Sequence, residues 1–167
     1  HAAEYGVDPN RLAVIGDSAG AQLAMMAVLR AGRATPVAGV AAIAMPSDLV
    51  TLARESPSIP AGIRGVAANG PWADMLGAAI RELSPIHQVH RQMPPTLLIH
   101  GTADRVVPFA QSERFCEAAR RAGAHCEVLA VRGEGHGFRW WSDAQWMRAM
   151  IAWLEARVEQ TGVAAAS

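Results

Sequence analysis

Apolar residues fall along the chain in short β-branched runs separated by longer stretches with helical spacing. "RLAVIG" at 11–16, "VAGVAAIAM" at 37–45, "TLLIH" at 96–100 and "CEVLAV" at 126–131 read as strands. None alternates with polar residues, so the pattern predicts strands buried on both faces. Helical spacing is found at 19–31, 109–122 and 143–159, where Trp146, Met150, Trp153, Leu154 and Val158 share one stripe. Strand, helix and strand in turn predict an α/β fold: a three-layer parallel sheet with right-handed crossovers and helices on both faces. The stretch from Pro46 to Pro95 breaks the rhythm, with prolines at 46, 57, 60, 71, 85, 94 and 95 and only a weak helical signal near 73–83. It reads as a long excursion over the strand ends within a single domain, 1–167. The opening "HAAEYG" reads as the last turn of a helix capped by Gly6, and "TGVAAAS" at the end as a frayed terminus.

Composition narrows the function classes. At 167 residues the chain can build one core. Its 15 basic and 15 acidic residues cancel, which speaks against nucleic acid as a partner. No apolar run reaches the roughly 18 residues of a membrane span, so the chain reads as soluble. Cys116 and Cys126 lack the paired spacing of a zinc site and are too few for a disulfide framework, so they read as small buried thiols.

Chemistry concentrates at the strand ends. In "GDSAG" Ser18 lies between Gly16 and Gly20, directly after one strand and directly before one helix. Such a sharp turn strains the serine backbone, presents Oγ to solvent, and leaves no space for side chains two residues to either side. The helix start aims its N–H groups at an oxyanion, with Ala19 N–H nearest. A serine at a helix start is also an ordinary cap, so the pattern needs partners: a histidine to take the proton and a carboxylate to orient it. Asp104 follows the third strand in "HGTADRVVP", and His136 follows the fourth in "RGEGHGF", with a glycine on each side. Every member sits at the C-terminal end of a strand, in the order Ser, Asp, His.

These residues resemble the α/β-hydrolases, and among them the esterases similar to the hormone-sensitive lipase group and to bacterial acetyl-xylan and feruloyl esterases. The resemblance rests on "YGVDPNRLAVIGDSAG", "SPIHQV", "PPTLLIHGTADRVVPFAQSERF" and "GEGHGF", and passes over 46–82. It implies a Ser18, Asp104, His136 triad hydrolysing a carboxylic ester through an acyl-enzyme, with no metal or organic cofactor. It also implies an upstream His-Gly-Gly-Gly type loop for the oxyanion and a strand upstream of 11–16. Neither is found in the sequence, so the expectation is a C-terminal portion of a longer esterase, with an apolar sheet edge open to another chain. Losing one oxyanion donor lowers turnover about 10²- to 10³-fold, so the chain alone is expected to be a weak catalyst.

Rival assignments stand beside these. Asp48, in "MPSDL" after the second strand, competes with Asp104, which is favoured for its tight strand-end turn. Asp17 is expected to point away from His136, and Glu134 and Asp143 lie too close to it in sequence. His1, His87, His90, His100 and His125 read as structural. Trp72, Met75, Leu76, Phe138, Trp140 and Trp141 read either as walls of an acyl pocket or as core under long loops. Two other functions compete: amide or peptide cleavage by the same triad, and an inert α/β module that pairs with another chain.

Overall fold

The computed structural model describes residues 1–32, 37–60, 73–137 and 144–164, and for 73–76, 144 and 161–164 the backbone alone. Strands β1 (Leu12–Asp17), β2 (Val37–Ile43), β3 (Thr96–Gly101) and β4 (Cys126–Val131) form a parallel sheet in the order β1-β2-β3-β4. Helices α1 (Ala19–Ala31), α2 (Leu49–Glu55), α3 (Ala73–Glu82), α4 (Ala110–Arg121) and α5 (Ala144–Ala164) link or follow them. Since every pair is parallel, all four C-terminal ends come out along one edge of the sheet.

The period of two along β2 and β3 explains their unbroken apolar runs. Val40, Ala42 and Leu98 face one layer, with Met25, Val28 and Leu29 of α1 and Phe115 and Ala119 of α4. Ala41, Ile43, Leu97 and Ile99 face the other, against Trp146, Met150 and Leu154 of α5. Burial on both faces fails for the outer strands. β1 has a strand neighbour on one side among the described residues, and Leu12 and Ile15 are 39% and 50% exposed. β4, at the other edge, is only partly covered.

Two further elements depart from the expected pattern. Residues 49–55 are helical because the Asp48 carboxylate accepts from Val50 N–H and Thr51 N–H, an N-cap legible in "SDLVT". The last helix continues to Ala164 instead of fraying after 159. The opening residues keep to the expected pattern: a helical turn, Ala2–Tyr5, of 3-10 type, closed by left-handed Gly6.

Cys116 and Cys126 are not free thiols; they are joined in a disulfide, with Cα atoms 5.3 Å apart. A spacing of ten residues carries no pairing signal by itself. The turn after α4 folds that helix back over the start of β4, which brings the two side chains together in the core.

The turn from β1 into α1 is sterically exacting on one side only. A Cβ at Gly16 would lie 2.6 Å from Ala21 Cα and 2.7 Å from the Gly20 carbonyl oxygen, whereas a Cβ at Gly20 meets nothing within 4 Å. The expected need for glycine therefore holds at 16 and fails at 20, where the position opens outward. Gly16→Ala is expected to cost about 1–3 kcal/mol in urea denaturation through overpacking. Gly20→Ala, in the first turn of a helix, is expected to be neutral or to add up to about 1 kcal/mol. Replacing both cysteines by alanine is expected to cost about 3 kcal/mol in the same assay, the entropy of a closed loop of this length.

Candidate active site

Ser18 occupies the corner between β1 and α1 with φ 52° and ψ −122°, a left-handed backbone that a non-glycine residue adopts only under constraint. The constraint is visible on both sides of it. Ser18 N–H donates to the Ile43 carbonyl at 2.8 Å, continuing the β1–β2 ladder, and Ser18 C=O accepts from Gln22 N–H at 3.1 Å to begin α1. As a first-turn group, Ala19 N–H takes no carbonyl within its helix and lies at the positive end of the helix dipole. Hydrogen bonding at Ser18 itself is completed by a histidine: Oγ lies 3.0 Å from His136 Nε2.

His136 reaches that position because the β3 and β4 ends are knitted together. Ala103 N–H donates to Glu134 C=O, Thr102 N–H to Val131 C=O, and Gly133 N–H to Thr102 Oγ. Gly101 makes the approach feasible: a Cβ there would run into the backbone carbonyl of Glu134. Beyond it the Asp104 turn folds on itself, with Oδ1 accepting from Val106 N–H at 2.8 Å and Val107 N–H at 2.9 Å. Oδ2 then accepts from His136 Nδ1–H at 2.8 Å. An ionised carboxylate can only accept, so Nδ1 carries the hydrogen and Nε2 presents its lone pair to the serine O–H.

The Asp104 side chain has no exposed surface, while 22% of the His136 side chain is exposed. Burial pushes the Asp104 carboxyl up. Hydrogen bonds from His100, His136 and the Val107 and Val106 amides outweigh it and hold the group at about 2, below its ordinary 3.8. The carboxylate is thus an anion well below neutral pH.

The structure joins Ser18, His136 and Asp104 and separates the rivals. Asp48 points into the N-terminus of α2, and buried Gln111 holds its loop there by accepting from the Ser47 and Asp48 amides. Asp17 is exposed at the end of β1, and Glu134 serves the site through its backbone. Trp72, Phe138, Trp140, Trp141 and Asp143, with the side chains of Met75 and Leu76, lie outside the described residues. Of the five histidines classed as structural, His1 pairs with Glu4 and His125 with Glu127. His100 departs from that reading, because its Nε2 lies 3.3 Å from Asp104 Oδ2. Its only signal in the sequence was a place at the end of a strand, four residues before the acid.

Residues 1–161 match the model of the prolyl oligopeptidase family. Esterase LipQ of Mycobacterium tuberculosis is 33% identical over 144 residues, covering 80% of this chain and 34% of the relative. Esterase LipC of the same organism is 33% identical over 152 residues, covering 81% and 36%. The chain thus spans about a third of the length of these curated relatives. Among solved structures, a truncated carbohydrate esterase from gut microbiota superposes with a TM-score of 0.76 at 24% identity, covering 95% of this chain and 63% of that one. A puromycin-hydrolysing peptidase of Mycobacterium tuberculosis superposes with a TM-score of 0.66 at 30% identity, covering 83% and 20%. With a parallel sheet between helical layers and a serine at the turn after β1, this chain has the α/β-hydrolase fold and belongs to the prolyl oligopeptidase family.

Proposed function

We propose that this chain carries the catalytic triad of a serine carboxylesterase. His136 Nε2 takes the proton from Ser18 Oγ as it attacks the ester carbonyl, and Ala19 N–H donates to the oxyanion that forms. The tetrahedral species collapses to an acyl-Ser18 ester as His136 returns the proton to the leaving alcohol. Water, deprotonated by the same imidazole, then releases the acid and restores Ser18. Asp104 keeps Nδ1 protonated throughout and stabilises the imidazolium at each proton transfer.

The observation that carries this reading is the unbroken relay from Ser18 Oγ to His136 at 3.0 Å and from His136 to Asp104 at 2.8 Å, mounted on a strained turn. A serine that merely capped α1 would bond an amide of its own helix, and Ser18 makes no side-chain cap. Esters are favoured as substrates by the two esterase relatives. Amide cleavage is the second reading, favoured by the puromycin-hydrolysing neighbour at 30% identity. A small ester is the partner implied in the first case and a small amide or peptide in the second.

A fluorophosphonate probe is expected to label the wild-type chain at Ser18, to leave Ser18→Ala unlabelled, and to react about 10⁴-fold more slowly with Asp104→Asn, whose amide favours the wrong tautomer of His136. A folded, monodisperse sample that takes no label would overturn the triad reading in favour of an inert module. Side-by-side hydrolysis of 4-nitrophenyl acetate and an aminoacyl 4-nitroanilide separates ester from amide preference. Stability offers an independent check on the carboxylate. Its folded value lies below its unfolded one, so what it contributes is fully present above pH 3.8 and fades as the pH falls towards 2. That contribution is about 2 kcal/mol, so the stability gap between wild type and Asp104→Asn in urea titrations is expected to shrink by that amount between pH 5 and 2.

A further inference from the structure

His100 is fully buried at the end of β3, yet both of its ring nitrogens are engaged. Nε2 lies 2.9 Å from the Val107 carbonyl oxygen and 3.3 Å from Asp104 Oδ2. Nδ1 lies 2.7 Å from Ser112 Oγ on α4, and Phe109 meets the ring edge-on at 5.7 Å. Both groups facing Nε2 are acceptors, so Nε2 carries the hydrogen and donates it to the Val107 carbonyl, with the Asp104 carboxylate close beside it. Nδ1 then has a lone pair to offer, and the Ser112 hydroxyl donates to it.

This arrangement grips the acid turn from behind. Val107 is held at both ends, its N–H by Asp104 Oδ1 and its C=O by His100. The same Oδ2 that receives the His136 Nδ1–H also faces His100 Nε2–H. The N–H edge of His100, with that of His136 and the two turn amides, helps to hold the buried carboxyl in its ionised form. A histidine that only filled space would need no particular tautomer and no acceptor shared with the site.

We infer that His100 is a positioning residue for the triad: held as the Nε2–H tautomer by the Val107 carbonyl, with Ser112 donating to Nδ1, it sets its N–H edge against Asp104 Oδ2 and keeps that oxygen in line with His136 Nδ1. The inference rests on the Ser18, His136, Asp104 reading, but it concerns the Asp104–His136 pair, which can be observed without turnover. Two substitutions at the site have different reach. His100→Asn offers an amide to Ser112 and stops short of Asp104. His100→Gln carries an N–H group out to where Nε2 stood.

Nitrogen-resolved NMR of the wild-type chain is expected to find His100 protonated at Nε2 and bare at Nδ1. The His136 Nδ1 proton is expected as a downfield resonance protected from water. In His100→Asn that proton is expected to exchange about 10-fold faster, the scale of losing a hydrogen bond to a charged group, and in His100→Gln to recover. Fluorophosphonate labelling of Ser18 is expected to follow the same order. A His100 hydrogen found on Nδ1, or a His136 proton equally protected in a folded His100→Asn, overturns the inference. If His100→Asn fails to fold, the wild-type tautomer decides alone. Failure of the wild type to label, with the NMR differences present, removes the hydrolase reading and leaves the positioning role standing.

Discussion

A carboxylate with no exposed surface stays ionised only if donors replace the water it has lost, and Asp104 meets this demand from three directions. Two backbone amides of its own turn satisfy one oxygen, while His136 and His100 address the other. The donors come from the β3–α4 turn, the end of β3 and the loop after β4, so the charge ties those segments together. The orientation of His136, and with it the nitrogen turned to Ser18, depends on this anion being fixed in place.

Ser18 depends on a different constraint. Its left-handed backbone is maintained because its amide continues the ladder to Ile43 while its carbonyl already serves α1. Gly16 permits the close return of the helix over the strand, and Gly101 permits the close approach of the Glu134 backbone. Neither glycine contributes a side chain to the relay. Each removes a side chain that would push apart two segments whose separation sets the relay distances.

The parallel sheet unites the two halves of the site. Because β1 to β4 all pair parallel, the loops that follow β1, β3 and β4 rise from one edge, and a serine, a carboxylate and a histidine far apart in the chain meet there. The disulfide between Cys116 and Cys126 fastens α4 to the start of β4, at the end of the strand opposite the loop that carries His136. It also joins the helix bearing Ser112 to the strand leading to His136.

Several of these features were legible in the residues alone, for one reason: they are local. Apolar runs of strand length, the helical stripe on α5 and a serine between glycines at a strand-to-helix switch each depend on neighbours within a few positions. So does the Asp48 cap, whose signature was present and passed over. Other features depend on distance in space, which spacing along the chain does not encode. Only packing decided that Cys116 meets Cys126, that Gly16 is confined while Gly20 is open, and that β4, among the described residues, has a strand neighbour on one side only despite its apolar sequence. The same holds for His100: its sequence placed an imidazole at the end of β3, and only the fold of the following turn put Val107 C=O and the Asp104 carboxylate within its reach. Composition and periodicity determined which elements form and which residue types stand at their ends, whereas side-chain partnership was settled by how those elements close on one another.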